Sequence, residues 1–327
     1  MKLPKFDIET LKNNQLGYTA KRHLGDIAMK LFRLIVIIAM GYIFLFPLYY
    51  MFVVALQATG GAADPTSIYV PKALSLKAFV TAFGLLNYPK TAGLSLIITI
   101  FGTIATLASC SLAGYAFARF KFKGKGILFF FVILMIVIPP QTTIMSRYLQ
   151  FRFFDFGGLL SIFGVSVNLL ETPWVFILPA IFAAGLKAGL FIFIFRQFFQ
   201  GQPKELEEAA KIDGCGPFKT FIQIMVPLAS AAFITVTVLS VIWHWNDYYD
   251  ASMFFLDEVK PISVMLDNFA YAVSRGGVEV EGEIAHPFLQ RMYLQAGAAL
   301  TIIPPLVFYI FIQKKFVESI DRAGIVG

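Results

Sequence analysis

Charge is scarce in this sequence: Asp, Glu, Lys and Arg together supply only 14% of its 327 residues, against about a quarter in soluble domains. Cysteine is scarcer, with Cys110 and Cys215 alone, which rules out a disulfide framework. Cys110 falls in an apolar run and Cys215 in a polar turn, too far apart to pair, so both read as free thiols. Neither has His or Cys neighbours at metal-ligand spacing, so no metal site is expected. No G-x-x-x-x-G-K-[ST] phosphate loop is present, which excludes ATP hydrolysis by that route. No nucleophile and base are placed to share a site, so no catalytic residues are assigned and an enzyme is not expected. Internal repeats and low-complexity tracts are also missing.

What remains is apolar: 58% of residues are hydrophobic and 36 are Phe. Such a chain has lipid as its solvent. A hydrocarbon core of about 30 Å needs roughly 20 helical residues, and six apolar runs reach about that length, at 34–56, 93–118, 126–145, 174–199, 228–249 and 292–313. The expectation is an all-α polytopic protein of six transmembrane helices. The first run is too long for a signal-peptide core and lacks a small-residue cleavage pattern, so it is expected to stay in the mature chain.

Basic residues set the orientation, because Lys and Arg are retained on the cytoplasmic side. Lys2, Lys5, Lys12, Lys21, Arg22, Lys30 and Arg33 precede the first run, and Arg119, Lys121, Lys123 and Lys125 follow the second. The stretch after the fifth run is instead acidic, with Asp257, Glu258, Asp267, Glu279, Glu281 and Glu283, and Lys314 and Lys315 follow the sixth. Both ends are thus expected inside: a cytoplasmic segment 1–33, a transmembrane domain 34–313 that includes a loop at 200–227, and a cytoplasmic tail 314–327. The net charge of +7 is then topological, with membrane lipid as a partner and no nucleic acid.

Outside, the stretch with Gly60, Gly61, Pro65 and Pro71 reads as a connector holding one short helix. The stretch 248–291, with Gly276, Gly277, Gly282 and Pro287, reads as partial helix near 262–271 and then irregular chain. In the second run Gly102, Ala105, Ser109, Ala113 and Gly114 allow another helix close approach, more readily within the chain than between subunits. Pro139-Pro140 and Pro304-Pro305 are expected to kink or break the third and sixth helices.

Two polar features stand inside this apolar frame. Lys187, between Gly185 and Gly189, sits mid-way along the fourth run, where an ammonium is costly. It either faces a water-filled cavity, touching a sugar hydroxyl or steadying a helix break, or pairs with a carboxylate such as Asp247, or snorkels. Trp243, His244, Trp245, Asn246, Asp247, Tyr248 and Tyr249 close the fifth run, where aromatic residues anchor helices at headgroups; His244 reads as structural. Candidates for a substrate pathway are Lys187, Trp243, Asn246, Asp247 and Tyr248.

The polar loop runs from Pro203-Lys204-Glu205-Leu206-Glu207-Glu208-Ala209-Ala210-Lys211-Ile212-Asp213-Gly214 through Gly216-Pro217 to Ile224-Met225-Val226-Pro227. It reads as helix, turn, helix. Pro203 suits a first helical position, the three glutamates complement the dipole, Gly214 stops the helix in a left-handed conformation, and Pro217 starts the next. Glu207 is set to pair with Lys211 one turn on. From physics alone this is either a hairpin lying on its own protein or a docking element.

The spacing Glu208-Ala209-Ala210, Gly214, then Ile224 and Pro227 resembles the EAA signature of binding-protein-dependent ABC importer permeases. Leu112-Ala113-Gly114-Tyr115-Ala116-Phe117-Ala118-Arg119, Phe195-Arg196-Gln197-Phe198-Phe199, Ala210-Lys211-Ile212-Asp213-Gly214, Trp245-Asn246-Asp247-Tyr248 and Gln313-Lys314-Lys315-Phe316-Val317 are similar to the carbohydrate-uptake permeases of the maltose-transporter type. That resemblance covers roughly 34–327. It implies the type I ABC importer permease fold and a prokaryotic inner-membrane location. The implied partners are a second similar permease, two ATP-binding subunits and an extracytoplasmic solute-binding protein, with no cofactor in this chain and ATP and Mg held by the ATPases. It makes the loop a coupling helix, with Glu205, Glu208, Ala209, Ala210, Asp213, Gly214 and Pro217 as ATPase-coupling residues. Longer external segments near 151–173 and 273–287, and an end at Gly324-Ile325-Val326-Gly327 where many relatives have a lysine, depart from the pattern. The rival readings are the same machinery with a non-sugar solute, or an ion-coupled secondary transporter using Lys187 and Asp247.

Overall fold

The computed structural model describes residues 8–58, 69–71, 73–159, 166–275 and 286–325, with positions 162, 164, 277, 279–280 and 283–284 between them. Lys2, Lys5, Gly60, Gly61, Pro65, Gly276, Glu281, Gly282, Val326 and Gly327 lie outside the described residues.

The chain is mostly helical. Helix α1 (Ile8–Ala55) begins well before the apolar run it was expected to start with, so the basic segment 8–33 is helical too. Its stretch 25–45 is exposed nearly all round, and only its end joins the bundle, where Ala55 packs among Ala78, Ala82, Leu86, Tyr293 and Ala296. The expected short connector helix is α2 (Lys77–Leu85).

The centre of the fold is α3 (Tyr88–Arg119), which buries Thr91, Ser95, Thr99, Thr103, Thr106 and Ser111 along its length. Small side chains bring backbones together here. A Cβ on Gly114 would lie 2.5 Å from the Phe195 Cβ, and one on Gly102 would lie 2.8 Å from the His244 ring. Ser109 Oγ donates to the Ala180 carbonyl at 2.6 Å. The small-residue stripe therefore serves packing within the chain.

The third and fourth apolar runs are each divided rather than single helices. Helix α4 (Lys125–Val137) has 13 residues, about 20 Å of length, less than the hydrocarbon thickness. It stops where Pro139 and Pro140 cannot donate, and after a 3-10 turn the chain continues as α5 (Ile144–Arg152). The fourth run divides into α6 (Trp174–Ile181) and α7 (Ala188–Gln200). Between them Ala183 and Lys187 take positive φ of 54° and 58°, which no α-helix accommodates. Beyond the break, Phe191, Phe195 and Phe199 are fully buried at four-residue spacing, forming the stripe that α7 packs on α3.

The polar loop forms α8 (Glu205–Ile212), α9 (Pro217–Thr220), a π-helical turn at Phe221–Met225 and α10 (Val226–Leu228). The chain then bends by 78° into α11 (Ser230–Asn246), followed by α12 (Tyr249–Phe254) and α13 (Ile262–Ser274). The last of these fulfils the expectation of helix near 262–271. A two-residue antiparallel pair, β1 (Glu279–Val280) and β2 (Glu283–Ile284), was not expected from the sequence.

Helix α14 (Pro287–Ile325) runs without a break through Pro304 and Pro305, which excludes the break, one of the two expected outcomes, and on through most of the segment read as a separate tail. The reason is visible in the hydrogen bonds. Pro304 and Pro305 orphan the carbonyls four residues earlier, Leu300 and Thr301. The Tyr88 hydroxyl donates to Leu300 O at 3.0 Å and the Trp245 indole N–H to Thr301 O at 3.0 Å. Both lost backbone donors are thus replaced from α3 and α11.

Among the described residues, three helices are long and apolar enough to cross a membrane, at 25–55, 88–119 and 287–318. There are four if α11 and the bent segment before it count as one, while α4 and α7 are shorter apolar helices.

Candidate functional site

The first candidate is the surface of the polar loop. Glu205, Glu207 and Glu208 occupy the first turn of α8 and Lys211 the last, each favourable to the helix dipole. Pro203 lies two residues before the helix rather than at its first position. The end follows a Schellman geometry: the Gly214 N–H donates to Lys211 O at 3.1 Å and the Cys215 N–H to Ala210 O at 2.9 Å, with Gly214 at φ 77°. Pro217 opens α9 behind Gly216, as expected.

One face of this loop is bound to the bundle. Ala210 is buried. Glu207 pairs not with Lys211 but with Arg119 at the end of α3, Nε to Oε1 3.2 Å, with side chains only 6% and 14% exposed for Arg119 and Glu207. Arg119 also donates to Gln202 O at 2.7 Å. Tertiary placement overrides the local i,i+4 pair: among the described residues Glu207 is the one carboxylate within ion-pair distance of the buried Arg119 guanidinium. Further on, Phe221 packs on Tyr115 and Phe199, with ring centroids 5.1 and 6.0 Å away, and Met225 is fully buried.

The opposite face is open. Glu205, Glu208, Ala209, Asp213, Gly214 and Pro217 are all exposed, and among them stand Leu206, Ile212 (86% exposed) and Phe218 (66%). Large apolar side chains thus stand exposed on a polar loop.

The second candidate is a cavity of about 570 Å³ beneath the break between α6 and α7, where Phe131, Met135, Arg147, Lys187, Trp243 and Asp250 are among the lining residues. Arg147 makes a bidentate ion pair with buried Asp250, both contacts 2.7 Å. The Lys187 ammonium lies 5.7 Å from the Trp243 ring centroid. Among the described residues no carboxylate is within ion-pair distance of it.

Of the five expected pathway residues the structure brings Lys187 and Trp243 together and leaves the other three elsewhere. Asp247 accepts the Ala251 N–H at 3.0 Å, fastening the start of α12, and its own carbonyl accepts from Ser263 Oγ at 2.6 Å; Asn246 and Tyr248 are exposed. His244 is buried, with Nδ1 2.9 Å from Ser240 O. Arg147 and Asp250 were missed. They lie 103 positions apart, and neither sits in a motif.

Residues 105–322 match the family described as binding-protein-dependent transport system inner membrane component, a stretch that holds α8, the Arg119 tether and the cavity. The chain belongs to that family. As an inner-membrane component it is a multi-pass membrane protein of a prokaryotic transport system, a transport part rather than an enzyme. It is 28% identical over 265 residues to an arabinooligosaccharides transport system permease protein, AraQ, of Halalkalibacterium halodurans, covering 80% of this chain and 83% of that one. It is 29% identical over 265 residues to a polygalacturonan/rhamnogalacturonan transport system permease protein, YtcP, of Bacillus subtilis, covering 80% and 85%. Among solved structures, a bacterial ABC transporter involved in importing the acidic polysaccharide alginate superposes with a TM-score of 0.71 at 19% identity, covering 89% of this chain and 98% of that one. That likeness gives the fold. This inner-membrane component thus shares its family with permeases of sugar-polymer uptake.

Proposed function

We propose that the chain is the permease subunit of an ABC importer that carries an oligosaccharide or related sugar delivered by an extracytoplasmic solute-binding protein. In this reading both termini are cytoplasmic and a second similar permease completes the channel. Two partner subunits bind ATP and Mg and drive it. The observation that carries the reading is the exposed face of α8 and α9: a helix clamped on one side by Arg119 and Glu207 and offering Leu206, Ala209, Ile212 and Phe218 on the other. An ATPase seated on that face pushes against a stiff element. Gly214 ends it sharply, the Arg119–Glu207 pair passes the displacement to α3, and Phe221 and Met225 pass it to the core around α7.

The sugar class follows the relatives' names and the sugar-type form Ala210-Lys211-Ile212-Asp213-Gly214. The test is co-purification of the tagged chain with its ATPase subunits. Ala209→Trp and Phe218→Asp are expected to release the ATPases while the permease pair stays together. ATPases retained at the unaltered ratio in both variants would refute the docking role.

A further inference from the structure

We propose that the cavity beneath the α6–α7 break receives the carboxylate of an acidic saccharide, an oligo-uronate, on Lys187. This rests on the sugar-permease reading above and narrows its substrate class. Three observations lead there. The cavity, about 570 Å³, falls within the roughly 300–1,000 Å³ usual for small-molecule sites. Asp250 is fully engaged by the bidentate contact with Arg147, and among the described residues no carboxylate lies within ion-pair distance of the Lys187 ammonium. Lys187 is exposed yet belongs to the cavity wall beside Trp243, and an ionisable residue along an apolar run marks a functional position whose anionic partner must be named. Here that partner comes with the solute.

The backbone supports the same assignment. Lys187 is held at φ 58° at the start of α7, a conformation disfavoured for a side chain with a Cβ. The residue so held is among those that line the cavity. The positive end of the α7 dipole adds to the field at that point. Trp243 lies beside it, and an indole face suits the apolar face of a sugar ring. A neutral sugar meets the same walls but leaves the ammonium unpaired.

The experiment uses the detergent-purified complex of this chain with its companion permease and ATPases, without the solute-binding protein, titrated with trigalacturonate or maltotriose while tryptophan fluorescence is read. Trigalacturonate is expected to give a saturable change that is lost in Trp243→Phe. Lys187→Gln is expected to weaken it by about tenfold or more, the scale of one charge-assisted hydrogen bond. Lys187→Arg, which keeps the charge, is expected to retain binding, and maltotriose is expected to bind weakly and without regard to residue 187. Absence of a saturable trigalacturonate signal, equal loss of both sugars in Lys187→Gln, or loss of the companion permease with unchanged sugar affinity would each overturn the proposal. ATP-driven uptake of maltotriose by a complex that ignores trigalacturonate would overturn it too, yet leave the sugar-permease reading standing. Failure of ATP-driven uptake across a panel of neutral and acidic saccharides would remove that parent reading itself.

Discussion

Removing the charge of Glu207 tests the mechanical role of the loop most sharply. The Arg119–Glu207 contact is 3.2 Å, and both side chains are far less than one-third exposed, so solvent screens it weakly. Breaking one half of a buried ion pair costs about 3–5 kcal/mol, because the survivor is left uncompensated. The lower end applies here. Arg119 keeps its 2.7 Å bond to Gln202 O, and neither Arg119 Nε nor Glu207 Oε1 has a well-aligned hydrogen-bond partner, so the contact is electrostatic rather than directional. A cost of about 3 kcal/mol lowers the population of the clamped loop roughly a hundredfold. In proteoliposomes carrying the complete transporter, Glu207→Gln and Arg119→Gln are each expected to reduce uptake per ATP hydrolysed while ATP hydrolysis continues. The double variant, with no charge left unpaired, is expected to recover part of the loss. Effects that add within about 0.5 kcal/mol would mean the residues are not coupled, and unchanged uptake per ATP would remove the pair from the transmission.

Other consequences follow from the same contacts. Gly114→Ala places a Cβ 2.5 Å from Phe195 Cβ and 3.0 Å from the Arg196 backbone nitrogen; overpacking of about 1–3 kcal/mol or more is expected to lower folded yield by size-exclusion chromatography. Gly126→Ala, with nothing within 4 Å, is expected to leave it unchanged. At Gly214, φ 77° and open surroundings make the penalty purely conformational: Gly214→Ala is expected to cost about 1 kcal/mol and Gly214→Asn less, read as thermal stability of the purified complex. Trp245→Phe strips Thr301 O of its donor and is expected to cost about 1–3 kcal/mol. Adding Pro305→Ala, which restores a backbone N–H for that carbonyl, is expected to regain stability; no regain would refute the substitution of side-chain for backbone donors.

The sequence carried the features that are local. Acidic residues before Ala209-Ala210, Gly214 and Pro217 describe α8, its stop and the start of α9, because dipole, left-handed backbone and missing N–H act within a turn of the chain. The break in the fourth run, expected as one span, lies at Ala183 and Lys187, beside the Gly185 and Gly189 that flank Lys187. Features made by distant residues were not readable. Glu207 turned from Lys211 to Arg119, and Arg147 found Asp250, only because the bundle sets those elements side by side. The prolines of α14 leave it unbroken for the same reason: Tyr88 and Trp245 replace the lost backbone donors. The third run lost its length to Pro139-Pro140, where the structure shows no such replacement at the helix end, whose last cap donor is Ile138.

The measurement that bears most directly on the account is solute uptake into vesicles reconstituted with this chain, its companion permease, the ATPases and the solute-binding protein, with and without ATP and with a protonophore present. The account predicts uptake that requires ATP and the ATPase subunits and is indifferent to the protonophore. Uptake that persists without the ATPases and collapses when the proton gradient is removed would contradict it, and would point to Lys187 and Asp247 as ion-coupling residues.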